Sequence, residues 1–393
     1  MSKIESLIKE LCPDGVEYKK IGDFCEIKTG KGITKSDATS GGMFPIISGG
    51  QIPMGYYHKF NRRANTVTIS RVGAYAGFVS YIQTDFYLND KCFSVIPTID
   101  NISTRFLFHI LKYKEEKIKG LQSEGGVPTI NTTKVGSIEI PVPPLPVQEE
   151  IVRILDSFTE LEKELEKELE KRKKQYEYYR NKLLSFSEIG GGTQVKWVKL
   201  SEIATIYRGV AYSKKDFTET GMPCIHYGQI YTRYGTFANK TFTYVNEDFA
   251  FGKRLAKKGD IIMAVTSENL EDVGKCLAWL GEDNILVSNH ACFIRHSLNP
   301  KYFAYFFQTS FFFNYKKKIC KGVKVIDLNL SQLEDMPIPV PTMEEQERIV
   351  SILDKFEAMV NDISVGLPAE IEARHKQYEY YRNKLLTFKQ KIA

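Results

Sequence analysis

Lys174–Leu184 reads KQYEYYRNKLL, and Lys376–Leu386 reads the same eleven residues without a change. Upstream of each copy stands a second match, QEEIVRILDSF at Gln148–Phe158 and QERIVSILDKF at Gln346–Phe356. Proline-flanked segments precede both, IEIPVPPLP at Ile138–Pro146 and MPIPVPTME at Met336–Glu344. The openings agree too, since Val16–Ile21 (VEYKKI) resembles Val195–Leu200 (VKWVKL). Chance does not give eleven identical residues at matching places, so the chain is one design written twice.

The repeated segments read as helix. Residues Val147 to Phe186 contain no glycine or proline and are rich in Glu, Lys and Leu, which are good helix formers. Apolar residues recur at Ile151, Ile154, Leu155, Phe158, Leu161, Leu165, Leu169, Tyr176, Tyr179 and Leu183. Steps of three and four make one stripe of a coiled-coil helix, which over about 40 residues spans roughly 60 Å. Gly190-Gly191-Gly192 ends it and gives a flexible joint. The second helix runs from Met343 to Lys389, with a break expected at Gly366-Leu367-Pro368. Between the shared blocks lie residues 159–173 in the first half and 357–375 in the second, a difference of four, or about one turn. Leu161–Arg172 reads LEKELEKELEKR, a solvated face with Glu–Lys neighbours at i,i+4. Loss of one such unit would shorten the helix by roughly 6 Å.

The parts between these helices agree only loosely. Asn89–Phe93 and Asn289–Phe293 read as the same strand, whereas Ile47–Tyr57 and Ile225–Tyr234 differ almost completely. Strands are expected at Thr66–Ile69, Phe78–Ile82, Cys92–Ile96 and Ile261–Val265, and an aromatic helix follows in each half, at Thr104–Lys119 and Pro300–Lys318. The fold class is therefore α+β: two globular α/β domains separated by two long antiparallel coiled-coil helices, related by an internal pseudo-two-fold. Either coiled-coil helices tolerate less change than loops, or both helices present one surface to two copies of one partner. The identity of exposed positions favours the second.

Composition excludes several classes. With 42% hydrophobic and 26% charged residues the chain has the balance of a soluble globular protein. No apolar run approaches the roughly 20 residues that span a bilayer, and Met1–Lys9 lacks the core of a signal peptide, so a cytoplasmic location with no membrane contact is expected. Cys12, Cys25, Cys92, Cys224, Cys276, Cys292 and Cys320 form no C-x-x-C pair and read as buried free thiols. The net charge of +6 is compatible with nucleic acid, and the acidic stretch Glu160–Glu170 leaves the globular parts more basic than the average.

The chain resembles the specificity subunits of type I restriction-modification systems over essentially its whole length. The resemblance is carried by LCPDGV at Leu11–Val16, IISGG at Ile46–Gly50, SRVG at Ser70–Gly73, KGDII at Lys258–Ile262, the proline-rich exits Pro141–Pro146 and Pro337–Pro341, and the duplicated helices. It implies a target-recognition domain at residues 1–145, a spacer helix at 146–190, a second target-recognition domain at 191–342 and a second spacer helix at 343–393. It implies too a non-catalytic chain without cofactor or metal, reading a bipartite asymmetric site in double-stranded DNA. Its helices would dock two methyltransferase subunits, which carry S-adenosylmethionine and methylate adenine at N6, and through them restriction subunits with ATP-dependent cleavage. A coiled-coil DNA-binding scaffold or regulator without a methyltransferase partner is the alternative. A self-contained enzyme is disfavoured, because no [DN]-P-P-[FYW], G-x-x-x-x-G-K-[ST] or H-E-x-x-H motif occurs; Glu26-Ile27-Lys28 has the spacing of part of a nuclease motif, but no proline-aspartate partner precedes it.

Base reading needs hydrogen-bonding side chains on exposed loops, with Lys, Arg and Tyr on the phosphates. In the first domain the loop Ser48 to Arg63 supplies Ser48, Gln51, Tyr56, Tyr57, His58, Arg62 and Arg63, with the cluster Arg71 and Tyr75 as a second contribution and Lys31 as a further DNA-binding candidate. In the second, the loop His226 to Tyr234 supplies His226, Tyr227, Gln229, Thr232, Arg233 and Tyr234. Ser267 and Asn269, on a turn expected to match Ser70-Arg71, and Lys214 complete it. Adjacent tyrosines cannot all face one helical seam, so Tyr176, Tyr179, Arg180, Tyr378, Tyr381 and Arg382 are the partner-binding candidates.

Overall fold

The structure is a computed structural model that describes residues 3–123, 126–186, 195–361 and 366–391. The joint expected at Gly190–Gly192 lies outside these residues. The first long helix is continuous from Leu145 to Ser185. The second is broken where Gly366-Leu367-Pro368 predicts: one helix ends at Asn361 and the next begins at Leu367. Pro368 sits in the first turn, where its missing N–H costs nothing.

Contacts divide the chain into two units, Met1–Glu166 with Glu370–Ala393, and Lys167–Ala369. The C-terminal copy of KQYEYYRNKLL thus belongs with the N-terminal domain, and the Lys174–Leu184 copy with the second domain. Packing therefore groups segments that are distant in sequence, as four consecutive segments do not.

In the first unit a four-stranded antiparallel sheet has the order Cys25–Thr29, Cys92–Pro97, Thr66–Ser70, Val79–Ile82. All five residues of Thr66–Ser70 are buried, because the helix Thr104–Tyr113 lies against this strand and its neighbour. A smaller sheet joins Tyr56–Tyr57 and Phe44–Ile47 antiparallel, and Phe44–Ile47 to Tyr87–Leu88 in parallel. The core adds Val147, Ile151 and Leu155 from the first long helix, and Leu385 and Leu386 from the C-terminal one. The helices run antiparallel here: Phe158 stacks on Tyr381 at 5.5 Å, while Glu162, one turn on, meets His375 at 3.3 Å. The LCPDGV segment closes the unit by bridging to the C-terminal segment, with the Val16 amide donating to Lys389 and the Lys391 amide to Val16, both at 2.9 Å.

The second unit repeats the plan with more strands. Its main sheet has the order Ala204–Arg208, Ala291–His296, Ile261–Ala264, Cys276–Trp279, Phe237–Ala238. Phe217–Thr218, Thr243–Val245, Met222–Ile225 and Leu286–Val287 form the smaller one. Asn89–Phe93 and Asn289–Phe293 do lead into matching strands, Cys92–Pro97 and Ala291–His296, each paired with the first strand of its main sheet, but one residue out of step: the Gly30 amide donates to the Cys92 carbonyl and the Gly209 amide to that of Ala291.

The repeated residues have repeated duties. Gln148, fully buried, accepts from the Ser103 amide at 2.8 Å and donates to the Pro143 carbonyl at 2.7 Å. Gln346 does the same with Asn299 (2.7 Å) and Pro341 (2.9 Å). Each glutamine ties a long helix to the capped start of its aromatic helix. Asp156 then receives Arg105 and His109 from that helix, and Asp354 receives Lys301 and Tyr305. Part of the identity between the halves is therefore internal packing. Six cysteines are buried, Cys320 is half-buried, and none is bridged.

Candidate nucleic-acid interface

The expected loop Ser48–Arg63 is shorter in the first unit: residues 48–55 form a loop, and Tyr56–Tyr57 is already a strand of the smaller sheet. The Ile46 and Met54 backbones pair across its neck, with the Met54 amide donating to the Ile46 carbonyl at 2.9 Å, and the Cys92 thiol donates to the Ser48 carbonyl at 2.8 Å. Ser48 itself is buried, so its side chain is not offered outward. Gln51 and His58 are exposed, and Tyr56 retains 51% of its surface. Tyr57 is half-buried, edge-on to Tyr87 at 5.2 Å.

The basic candidates separate by duty. Arg62 is spent internally, donating from Nε to Ser94 Oγ at 2.8 Å and from its two Nη atoms to the Asn61 and Thr29 carbonyls. Arg63 is largely exposed; it meets Asp85 at 3.1 Å and lies over Phe60. Arg71 is half-buried and donates to the Asp90 carbonyl at 3.2 Å, with Tyr75 exposed nearby in sequence. Lys31 is exposed.

The second unit departs from the expected loop. Tyr227–Thr232 is a short helix. Its start is fixed by a reciprocal cap: His226 Nδ1 accepts from the Gly228 amide at 3.3 Å, and Gln229 Oε1 accepts from the His226 amide at 3.1 Å. Such a cap satisfies amides that a helix start leaves open. His226 and Gln229 are consequently buried, and burial, with Lys214 and His290 nearby, pushes the His226 imidazole below its ordinary pKa. Tyr227 packs between His226 and His290, at ring separations of 4.5 and 5.0 Å.

A groove of about 740 Å³ gathers most of this unit's candidates: Lys214, His226, Tyr227, Gln229, Thr232, Arg233, Ser267 and Asn269. Tyr234 stands outside it, with its hydroxyl accepting from the Phe242 amide at 3.2 Å. The sequence reading missed Tyr231, Glu268, Asp272 and His290, which line the same groove. His290 lay in the matched strand segment and carried a signal only as that; here Thr266 Oγ1 and His290 Nδ1 are 3.0 Å apart. The expected match of Thr266–Asn269 to Ser70-Arg71 is displaced. The Ile130 amide donates to the Arg71 carbonyl and the Leu328 amide to Val265, so buried Val265 stands in the place of Arg71.

In the helical repeats, Tyr176 is only 5% exposed and stacks on Phe356, while Tyr378 and Tyr381 pack on Phe158. Arg180 and Arg382 lie over Tyr176 and Tyr378. Tyr179 stacks on Phe356 at 5.4 Å and is 37% exposed. The most exposed aromatics of the two copies are Tyr178 (59%) and Tyr380 (63%), at the same repeat position.

The type I restriction modification DNA specificity domain model matches residues 13–171 and again 193–373. A type I restriction enzyme specificity subunit of Haemophilus influenzae is 32% identical over 95% of this chain and 96% of its own. The EcoR124I/EcoR124II specificity subunit of Escherichia coli is 33% identical over 78% of this chain and 77% of its own. Among solved structures, the type I S subunit of M. genitalium superposes with a TM-score of 0.58, covering 95% of this chain and 96% of that one at 18% identity. A chain from a structure of the type I R-M system gives 0.60 at 17% identity, covering 95% and 98%. Among the described residues no helix is long and apolar enough to cross a membrane. With both halves matched by one family model, the chain belongs to the type I restriction-modification specificity subunits.

Proposed function

We propose that this chain reads a split, asymmetric site in double-stranded DNA, one block of bases per unit, and brings two methyltransferase subunits to it. The observation that carries the reading is the contrast inside each unit. The framework is common to both, down to Gln148 and Gln346, while the exposed faces carry unrelated chemistry. One has a glycine-rich loop with Gln51, followed by a short edge strand with Tyr56 and His58 just past it; the other has a capped helix at a groove with Thr232, Arg233 and Asn269. Different faces on one framework suit two different base sequences.

The partner reading rests on the repeats. Tyr178 and Tyr380 are exposed at the same position of eleven identical residues, as two copies of one partner would require. Tyr176, Tyr179, Arg180, Tyr378, Tyr381 and Arg382 support that surface from beneath or at its edge. A similar chain comes from a structure of type I R-M complex assembly, in keeping with methyltransferase subunits and, through them, restriction subunits as partners. Catalysis belongs to those partners on this reading.

The test is a genome-wide map of N6-methyladenine in a methylation-free host expressing this chain with its neighbouring methyltransferase subunit. A single motif of two short blocks around a fixed gap is expected. A stable complex that leaves no methylation overturns the reading in favour of a scaffold.

A further inference from the structure

The two globular domains share one feature that their divergence should have erased. After the first strand of the main sheet the sequence reads Gly30-Lys31-Gly32-Ile33-Thr34-Lys35-Ser36-Asp37 in one domain and Gly209-Val210-Ala211-Tyr212-Ser213-Lys214-Lys215-Asp216 in the other. Only the glycine, the hydroxyl residue, the lysine directly after it and the aspartate coincide, at identical spacing. The hydrogen bonds confirm the alignment: the Lys31 amide donates to the Leu88 carbonyl and the Val210 amide to Val287, each on the strand that pairs in parallel within the smaller sheet. The structural partner of Lys214 is therefore Lys35, and that of Lys31 is Val210.

Each shared position but one has a local structural duty. A Cβ on Gly30 would fall 2.1 Å from the Leu88 carbonyl oxygen, and one on Gly209 would fall 2.0 Å from that of Ser288, so both crossings need glycine. Asp37 accepts from the amide and hydroxyl of Thr34 at 2.8 and 2.6 Å. Asp216 accepts from those of Ser213 at 2.7 and 2.9 Å. Each aspartate thus locks a single 3-10 turn, at Lys35–Asp37 and Lys214–Asp216. The lysine at the head of each turn is exposed, with no carboxylate within ion-pair distance among the described residues. The surroundings have drifted freely: Asn89 anchors the first segment by donating to the Ile33 carbonyl, whereas the Tyr212 hydroxyl anchors the second by donating to Ile225.

A lysine that survives while its neighbours change serves something common to both domains. Bases differ between the two blocks of a split site, and the phosphodiester backbone does not. The position suits that duty. Lys214 lines the groove that holds Arg233 and Asn269. In the first unit the turn leads directly to Thr39, whose amide donates to the Tyr56 carbonyl on the strand at the end of the exposed loop.

We propose that Lys35 and Lys214 are matched phosphate anchors, each holding the DNA backbone beside its own domain's reading face without contributing to sequence choice. The proposal rests on the DNA reading above. The test uses the full chain in complex with its methyltransferase subunits, on a duplex carrying the mapped site and on an unrelated duplex, with affinity measured against salt. Lys35→Gln and Lys214→Gln should each reduce the slope of log K against log salt by about one, and together by about two. They should weaken both duplexes alike and leave the methylation motif unchanged, and Lys→Arg at either position should restore the slope. An unchanged slope, or relaxed choice at one base position, overturns the proposal while the DNA reading stands. Failure of the unaltered complex to bind any duplex overturns that reading instead.

Discussion

Arg105 holds Asp156 by two nitrogens, with Nε 3.0 Å from both carboxylate oxygens and Nη2 2.7 Å from Oδ1. His109 adds a contact at 2.8 Å from the next turn of the same helix. This is the clamp between the first long helix and the first domain, and Asp354 with Lys301 and Tyr305 is its counterpart in the second unit.

The clamp makes the first unit acid-sensitive. Burial raises the Asp156 carboxyl, but the bonds from His109 and Arg105 outweigh it and hold the group at about 2, below its ordinary 3.8. A folded pKa below the unfolded one contributes stability that is present above about pH 4 and lost as pH falls toward 2. At about 1.4 kcal/mol per unit the contribution is on the order of 2 kcal/mol. Asp156→Asn should remove it at neutral pH and make the dependence between pH 5 and 2 shallower, with Glu150 and Glu115, also held below their ordinary range, keeping the remainder. Both tryptophans, Trp197 and Trp279, lie in the second unit, so fluorescence follows that unit while circular dichroism follows the whole chain. Urea unfolding in which the variant keeps the wild-type acid response would refute the assignment.

The helical skeleton was legible because its signal is periodic and duplicated. Apolar steps gave the helix Leu145–Ser185 to within two residues at either end, and Gly366-Leu367-Pro368 located the break. The reading faces were less legible, for identifiable reasons. Tyr227–Thr232 has no apolar stripe and carries Gly228, and its cap is a histidine paired with a glutamine, so nothing in the usual vocabulary of helix starts announces it. Arg62 has the same chemistry as Arg63 and sits beside it, yet one guanidinium holds three internal acceptors and the other is largely exposed. Burial by distant strands decides between them, and no local pattern records it.

That unannounced cap gives a prediction about specificity. Gln229 Oε1 receives the His226 amide at 3.1 Å and lies 3.2 Å from Thr243 Oγ1. Gln229→Ala removes both bonds at a buried site, for a cost of about 1 kcal/mol or somewhat more. The short helix should loosen while the unit stays folded. In the methylation map one block of the motif should relax and the other remain intact. Relaxation of both blocks, or of neither, would detach this helix from base reading.

The repeats predict opposite outcomes for two tyrosines two residues apart. Tyr176 is buried against Phe356 with Arg180 over its ring, so Tyr176→Ala leaves a cavity and should destabilise the second unit by about 3–5 kcal/mol. The urea midpoint followed by tryptophan fluorescence would fall accordingly. Tyr178 contacts Tyr179 edge-on at 5.3 Å, as Tyr380 contacts Tyr381 at 5.4 Å, and both outer rings remain largely open. Substituting these outer rings by alanine should change stability by no more than about 0.5 kcal/mol. If they anchor the methyltransferase subunits, each should cost about 2 kcal/mol of binding, or roughly thirtyfold in Kd at its own site. Titration of the methyltransferase subunit should then give one weakened site in either single variant and two in the double. Two sites of wild-type affinity in all three variants would move the docking surface off these tyrosines, and a loss of both sites from one substitution would mean that the two copies bind cooperatively.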